Sequence, residues 1–398
     1  MARRFPKLLL WGALLIGLAE LSARLFLFPQ FTAMLPDMYG RHPLLGHYNK
    51  ADLEVRRYNP MNYDVINHTN ALGMRGLEKD RERELAGVWV AGGSNTFGGY
   101  VEDGEVFSAA LRKYGIWAAN LASEGHTIER QAVVIRALAK EGYRPKAVVL
   151  TLSMYFSIAD YSFAAGILDR PLDALLDNLR KAPPRAPTAR ENLSAAVGGF
   201  GAALPANLKA MRARLLKSSA LYGWLKVGIM GIPALRGWTL RNGLRSDVDL
   251  VRNYDLDLLR PLGPGNPALG MIRSTADLVA DIGKMVGKTF GVPFGVVILP
   301  ANHQLHSANF ARFVDHYGLS GEDLDPLRPL AALENALRER NVPALDTLPA
   351  LRESGVSRLT FPDDGHLTAA AHAIVAKALA DWLKREILPG AAPDEKRS

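Results

Sequence analysis

Residues 88–98 read Val-Trp-Val-Ala-Gly-Gly-Ser-Asn-Thr-Phe-Gly. Four apolar residues in unbroken succession, too few for a helix and closed by a glycine pair, predict a strand at 88–92 buried on both faces. The same signature returns outward along the chain at 116–121, 147–152 (AVVLTL), 295–299 (GVVIL) and 344–347. Between these runs lie stretches of helical period at 107–114, 127–142, 275–290, 329–340 and 368–387. Strands of continuous apolar character, each followed by a helix, predict an α/β fold, a three-layer α/β/α sandwich around a parallel sheet. It occupies residues 86–390. From about 160 to 265 the alternation lapses into helical text broken by Pro and Gly, including APPRAP at 182–187, which reads as a helical insertion between two strands. Residues 29–85 are rich in Pro, Tyr, Asn and charge and read as a linker and irregular lead-in, and residues 391–398 as a tail.

The chain has 398 residues, 48% of them hydrophobic and 22% charged, which are globular proportions. It contains no cysteine, so a disulfide scaffold, a thiolate metal site and a cysteine nucleophile are all excluded. The 48 Lys and Arg exceed the 40 Asp and Glu by eight. That excess is scattered, with clusters only at Arg3, Arg4 and Lys7, diffusely from Arg180 to Arg245, and at Lys396-Arg397, and it gives no nucleic-acid footprint.

Residues 8–28 are almost continuously apolar, close to the roughly 20 residues a helix needs to cross a bilayer core. With Arg3, Arg4 and Lys7 ahead of it, this segment predicts a single-pass transmembrane anchor in the inner, cytoplasmic membrane, with the rest of the chain on the periplasmic side. Glu20 and Arg24 stand four apart within it and can pair on one helix face. A cleaved signal peptide would end in small residues of the A-x-A type, and Leu21 and Ala23 fit that poorly.

In an open parallel sheet ligands gather beyond the carboxyl ends of the strands. After the first strand, Gly92 and Gly93 allow a tight turn and Ser94 stands where free backbone N–H groups could hold an oxyanion, as a nucleophile or as the cap of the next helix. No lysine follows to make a phosphate loop, and no G-x-G-x-x-G is present. The second strand ends in Asn120-Leu121-Ala122-Ser123-Glu124-Gly125-His126, whose glycine could supply another N–H. Near the end of the chain, Phe361-Pro362-Asp363-Asp364-Gly365-His366-Leu367-Thr368 offers a base and two acids, which either orient the imidazole or cap the closing helix. In that order the three segments describe a serine hydrolase. His303 and His306 lack partners at ligand spacing, so neither a metal nor a cofactor is expected.

These stretches resemble the SGNH (GDSL-like) hydrolase superfamily, in particular its bacterial membrane-anchored members. AELSARLF is similar to the end of their anchor, Asn70-Ala71-Leu72-Gly73-Met74-Arg75-Gly76 to their N-x-x-G-F-R-G lead-in, WVAGGSNTFGGYVEDGEVF to their nucleophile block, NLASEGHTIERQ to their second block and FPDDGHLTAAAHAIVAKAL to their closing block. The resemblance implies a flavodoxin-like sandwich, Ser94 as nucleophile, His366 as base, Asp364 as its orienting acid with Asp363 as the alternative, and the N–H groups of Ser94 and Gly125 as oxyanion donors. Two departures stand out. Gly93 replaces the acid that precedes the serine, and after AVVLTL, where the family usually places an oxyanion asparagine, this chain has Ser153-Met154-Tyr155-Phe156-Ser157. Asn95, Ser153 and Tyr155 are candidate substitutes, and Asn302 a candidate substrate contact. The implied function is an acyl or acetyl esterase acting on an envelope or exported glycan. The alternatives are a polysaccharide O-acyltransferase and a catalytically silent glycan-binding or assembly component, each compatible with an envelope biosynthesis complex.

Overall fold

The computed structural model describes residues 5–27, 38–42, 46–59, 62–154, 158, 219–232, 234–235, 256–316, 319–361 and 365–389. The lead-in is not irregular. It carries two antiparallel pairs, β1 (Tyr39–His42) with β2 (Gly46–Asn49) and β3 (Glu54–Asn59) with β4 (Tyr63–His68). Burial along β4 alternates, Val65 and Asn67 inward against Asp64 and Ile66 outward, so no continuous apolar run announces the strand.

The main sheet is built from β5 (Val88–Ala91), β6 (Ala118–Asn120), β7 (Ala147–Ser153), β8 (Phe294–Leu299) and β9 (Ala344–Asp346). All are parallel, in the order β6-β5-β7-β8-β9. Residues 88–91 and 147–152 are wholly buried, which is why their sequences are continuously rather than alternately apolar. The chain runs from β5 outward to β6 and then crosses back to β7 on the other side of β5. The direction of winding therefore reverses at β5, and in open sheets of this kind the ligand crevice lies beyond the strand ends at such a reversal.

The helices used below are α1 (Phe5–Ser22), α2 (Ser94–Phe97), α3 (Phe107–Ala110), α4 (Ile128–Lys140), α5 (Ala220–Gly231), α6 (Pro267–Phe290), α7 (Asn302–Leu305), α8 (Arg328–Glu339) and α9 (Ala369–Trp382). α6 packs on both α4 and α8, whereas α9 packs on α3. α6 starts eight residues ahead of its expected position at 275, because Asn266 caps it by accepting from the Ala268 N–H (2.8 Å) and Pro267 suits the first turn.

α1 continues as a π-helical turn, Ala23–Leu27. Among the described residues no helix is long and apolar enough to cross a membrane. The expected insertion at 160–265 falls mostly outside the described residues, α5 being the main part of it that is described, and the tail at 391–398 lies wholly outside them.

Candidate active site

β5 delivers the chain to the rim of the sheet at Gly92-Gly93-Ser94. A Cβ on Gly92 would stand 2.0 Å from the Thr96 Oγ1, so a glycine is needed for the chain to fold over into α2. Gly93 is the N-cap of α2 and no side chain caps that helix. Ser94 has another partner: its Oγ lies 2.8 Å from the Nε2 of His366, 272 residues away in sequence.

His366 is presented by a turn that closes on itself. The Gly365 N–H donates to the Phe361 carbonyl (3.0 Å), the Phe361 N–H donates to the His366 carbonyl (2.9 Å), and Thr360 and Leu367 form an antiparallel bridge. Gly365 holds φ +76°, a conformation open to glycine at no steric cost. α9, which follows, is capped by the Thr368 hydroxyl accepting from the Ala371 N–H (3.4 Å), so the closing helix does not need the acids before it as caps. Asp363 and Asp364 lie outside the described residues. With Nε2 facing the serine, the imidazole proton belongs on Nδ1 when the base is neutral.

Asn95 joins the two turns. Its Oδ1 accepts from the Leu367 N–H at 3.1 Å, so the residue after the nucleophile holds the residue after the base. The Tyr100 ring meets the His366 ring at 4.6 Å between centroids, inclined at 69°.

The loop after β6 is fixed from the lead-in. Asn120 Nδ2 donates to the Thr96 carbonyl (2.7 Å) and the Ser108 Oγ (3.1 Å), which ties β6 to the nucleophile turn. Asn49 Nδ2 donates to the carbonyls of Gly73 (2.9 Å) and Ala122 (3.1 Å), its Oδ1 accepts from Ser123 Oγ (2.8 Å), and the Tyr48 hydroxyl donates to the Leu121 carbonyl (2.8 Å). A Cβ on Gly93 would lie 3.7 Å from the His126 carbonyl oxygen, so the two loops abut. Among the described residues, neither the Ser94 N–H nor the Gly125 N–H meets an acceptor.

Glu124, in the same loop, pairs with Arg57 of β3 at 2.5 Å and accepts from the Tyr39 hydroxyl of β1 at 2.6 Å. The Arg57 guanidinium in turn stands over the Tyr100 ring, 4.5 Å from its centroid. Burial pushes the Glu124 carboxyl up, but Arg57, the Tyr39 hydrogen bond and the neighbouring His366 outweigh it and hold the group below the usual carboxylate range. Burial, and next the charge of Glu124, drive the Tyr39 hydroxyl far above its usual value. The rim beside His366 therefore carries a fixed negative charge and its counter-ion in place of bulk water.

The remaining candidates are dispersed. Ser153 is half-buried at the end of β7, beside Leu299 of β8, and Tyr155 lies outside the described residues. Asn302 is buried, its Oδ1 accepting from the Thr360 hydroxyl at 2.7 Å, so it braces the turn that leads to His366. Burial drives the His303 imidazole down to about 3 and leaves it neutral. Among the described residues no group of three or more His, Asp and Glu side chains is placed to hold a metal ion.

Neither family models nor curated proteins offer a match to the chain.

Reading the sequence alone overlooks Tyr39, Arg57, Glu124 and Tyr100. Glu124 sits inside a loop singled out for its glycine, and Tyr100 six residues after the serine; both were open to inspection. Arg57 and Tyr39 lie in strands without apolar runs, and only pairing in three dimensions brings them to the site.

Proposed function

We propose that this chain is a serine-dependent ester hydrolase of the SGNH type, built on a flavodoxin-like three-layer sandwich. The observation that carries the proposal is the 2.8 Å contact between Ser94 Oγ and His366 Nε2 at the winding reversal of a parallel sheet. Such a pair is the minimum for nucleophilic acyl transfer.

In the proposed cycle His366 Nε2 takes the hydroxyl proton as Ser94 Oγ bonds to the ester carbonyl carbon. The carbonyl oxygen becomes an oxyanion facing the N–H groups of Ser94 and Gly125. Collapse breaks the bond to the alcohol, which leaves with the proton from the imidazolium. Water then gives a proton to His366 and attacks the acyl-enzyme, releasing the acid and restoring the Ser94 hydroxyl. Asp364, or else Asp363, orients the ring, and Glu124 adds negative charge near the imidazolium. The likeness to membrane-anchored SGNH proteins supports an acyl group on an envelope or exported glycan as substrate, with the catalytic part on the periplasmic side of the inner membrane. α1 is then the element seated in the bilayer.

One feature favours a second reading, a catalytically silent glycan-binding component: β7 ends in Ser153, not in an asparagine able to complete the oxyanion hole. Losing such a donor costs about a hundredfold to a thousandfold in rate. Release of p-nitrophenol from p-nitrophenyl acetate separates the two readings. The hydrolase releases it, Ser94→Ala abolishes the release, and His366→Ala lowers kcat by about a hundredfold to ten-thousandfold. No release from protein with an intact cooperative unfolding transition rejects hydrolysis in favour of the silent reading.

A further inference from the structure

α1 and α5 meet at one carboxylate. Glu20 Oε1 accepts from the Ala220 N–H at 2.9 Å, and its Oε2 accepts from the Leu221 N–H at 3.0 Å and from the Ser219 hydroxyl at 2.8 Å. Arg24 Nε closes an ion pair with Oε1 at 2.8 Å, and the Ser219 Oγ accepts in turn from the Tyr222 N–H at 3.0 Å. An acid near the end of one apolar helix thus caps the start of a second. Four donors on one carboxylate is the provision a charge needs where water is scarce.

Among the described residues, much of what flanks this junction is apolar and exposed. Residues 13–18 of α1 (ALLIGL) are exposed without exception, and Trp224, Leu225, Ile232 and Leu235 are exposed on α5 and just beyond it. A helix that is apolar all round requires an apolar medium. Length shows why α1 alone is a poor occupant of that medium. Its uncharged run, residues 8–19, is 12 residues and reaches about 18 Å at 1.5 Å per residue, against a hydrocarbon core of about 30 Å. Extending it carries Glu20 and Arg24 toward the apolar layer, where α5 covers them.

Charge says which medium. From residue 192 to 246 the chain has eight Lys and Arg and not one Asp or Glu, and α5 lies in the middle of that stretch. Basic residues around an apolar, Trp-bearing helix are the pattern of a segment lying in the interface of an anionic bilayer.

We propose that residues 219–232 form a second membrane-seated element: α5 lies in the interfacial layer of the anionic bilayer that receives α1, docked on Glu20. The proposal rests on α1 being membrane-seated and is independent of the esterase chemistry.

The absence of cysteine makes the test clean. Full-length protein carrying one introduced cysteine, Leu14→Cys, Leu225→Cys or, as an exposed reference on α6, Lys284→Cys, is labelled with a fluorophore. It is then reconstituted into phosphatidylglycerol–phosphatidylcholine vesicles with or without nitroxide-bearing lipid. The expected result is severalfold quenching at 14 and 225 and none at 284. Quenching at 14 alone overturns the proposal and leaves α1 in the bilayer; quenching at neither position overturns both. Blue-shifted but unquenched emission at 225 means that protein covers this face, and also overturns it. Adding Glu20→Ala is expected to reduce quenching at 225 and not at 14; unchanged quenching at 225 removes Glu20 as the docking point.

Discussion

The turn carrying Ser94 is braced by buried charge, the turn carrying His366 by backbone. Behind the nucleophile, Arg75 is almost completely buried. It pairs with Asp103 at 2.5 Å, donates to the Val101 carbonyl at 2.9 Å and lies 5.5 Å from the Phe97 ring centroid. Asp103 also accepts from the His68 N–H and faces its Nδ1 at 2.5 Å. Around the base, three main-chain hydrogen bonds form the turn, Gly365 to Phe361, Phe361 to His366 and Thr368 to Leu359, and the Thr360 hydroxyl ties it to Asn302 just past the end of β8. A buried ion pair fixes position strongly and fails expensively when one partner is lost, whereas a backbone turn depends on no one side chain.

The sharpest way to break this contrast is Asp103→Asn. Burial already drives the Arg75 guanidinium down to about 10 against the attraction of Asp103. Removing the countercharge strands a buried cation, at an expected cost of about 3–5 kcal/mol in urea unfolding. kcat falls with it, because the segment after Ser94 loses its brace. If the variant is as stable as the parent, buried charge does not hold this turn.

How far the sequence discloses each region follows from the same contrast. The strands of the main sheet are legible to within two residues because burial on both faces forces apolar runs, and the Ser94–His366 pair is legible because Ser94 follows such a run and His366 precedes a long helix. The lead-in is not. Asn49, Arg57 and Arg75 act through partners 24 to 74 residues away, Gly73 and Ser123 of Asn49 marking the extremes, and a polar residue in a half-buried strand looks the same whether it faces water or a buried carboxylate. Asn302 reads as a ligand contact because it is a polar residue just past a strand end, and the sequence does not announce that its Oδ1 accepts from Thr360, 58 residues away.

Acid sharpens the comparison through a residue that belongs to both regions. His372 of α9 is buried, stacks on Phe107 at 5.6 Å and accepts the Phe107 N–H at 3.2 Å, so it joins the helix behind the base to α3 behind the nucleophile. Burial first, then the charges of His366 and Arg75, depress its imidazole to about 3. In the unfolded chain the same group titrates near 6.5. Between those values the unfolded state binds a proton that the folded state refuses, so stability falls as pH drops below about 6.5 and the loss is complete near 3. By pH 5 the loss is about 2 kcal/mol. His372→Asn, whose Oδ1 can still accept from Phe107, is expected to flatten the decline in Tm between pH 7 and 5; His303, also depressed to about 3 by burial, leaves a residual slope. An identical slope in parent and variant removes His372 as its source.

On the histidine side the matched substitution is Thr360→Val, which keeps the shape and leaves the buried Asn302 Oδ1 without this donor. The expected cost is about 1–3 kcal/mol in urea unfolding, below that of Asp103→Asn, with kcat for p-nitrophenyl acetate lowered and KM little changed. A larger loss than that of Asp103→Asn would invert the contrast, making a side-chain anchor the main support of the backbone turn.

The smallest effect on stability is expected where the two regions touch. Asn95 Oδ1 receives the Leu367 N–H, and this hydrogen bond is short-range on both sides, one residue from the nucleophile and one from the base. Asn95→Ala removes about 1 kcal/mol, the net value of an ordinary hydrogen bond. Its effect on rate should be out of proportion, because a displacement of about 1 Å at a reacting pair costs up to about a hundredfold. The readout that separates positioning from mere stability is a kcat lowered at unchanged KM, at a temperature where the variant is fully folded. Asn95→Asp keeps an acceptor oxygen for Leu367 and should recover most of the lost rate. Equal rates for parent and Asn95→Ala would show that each turn holds its reacting group unaided, and that the Ser94–His366 geometry needs no brace across the gap.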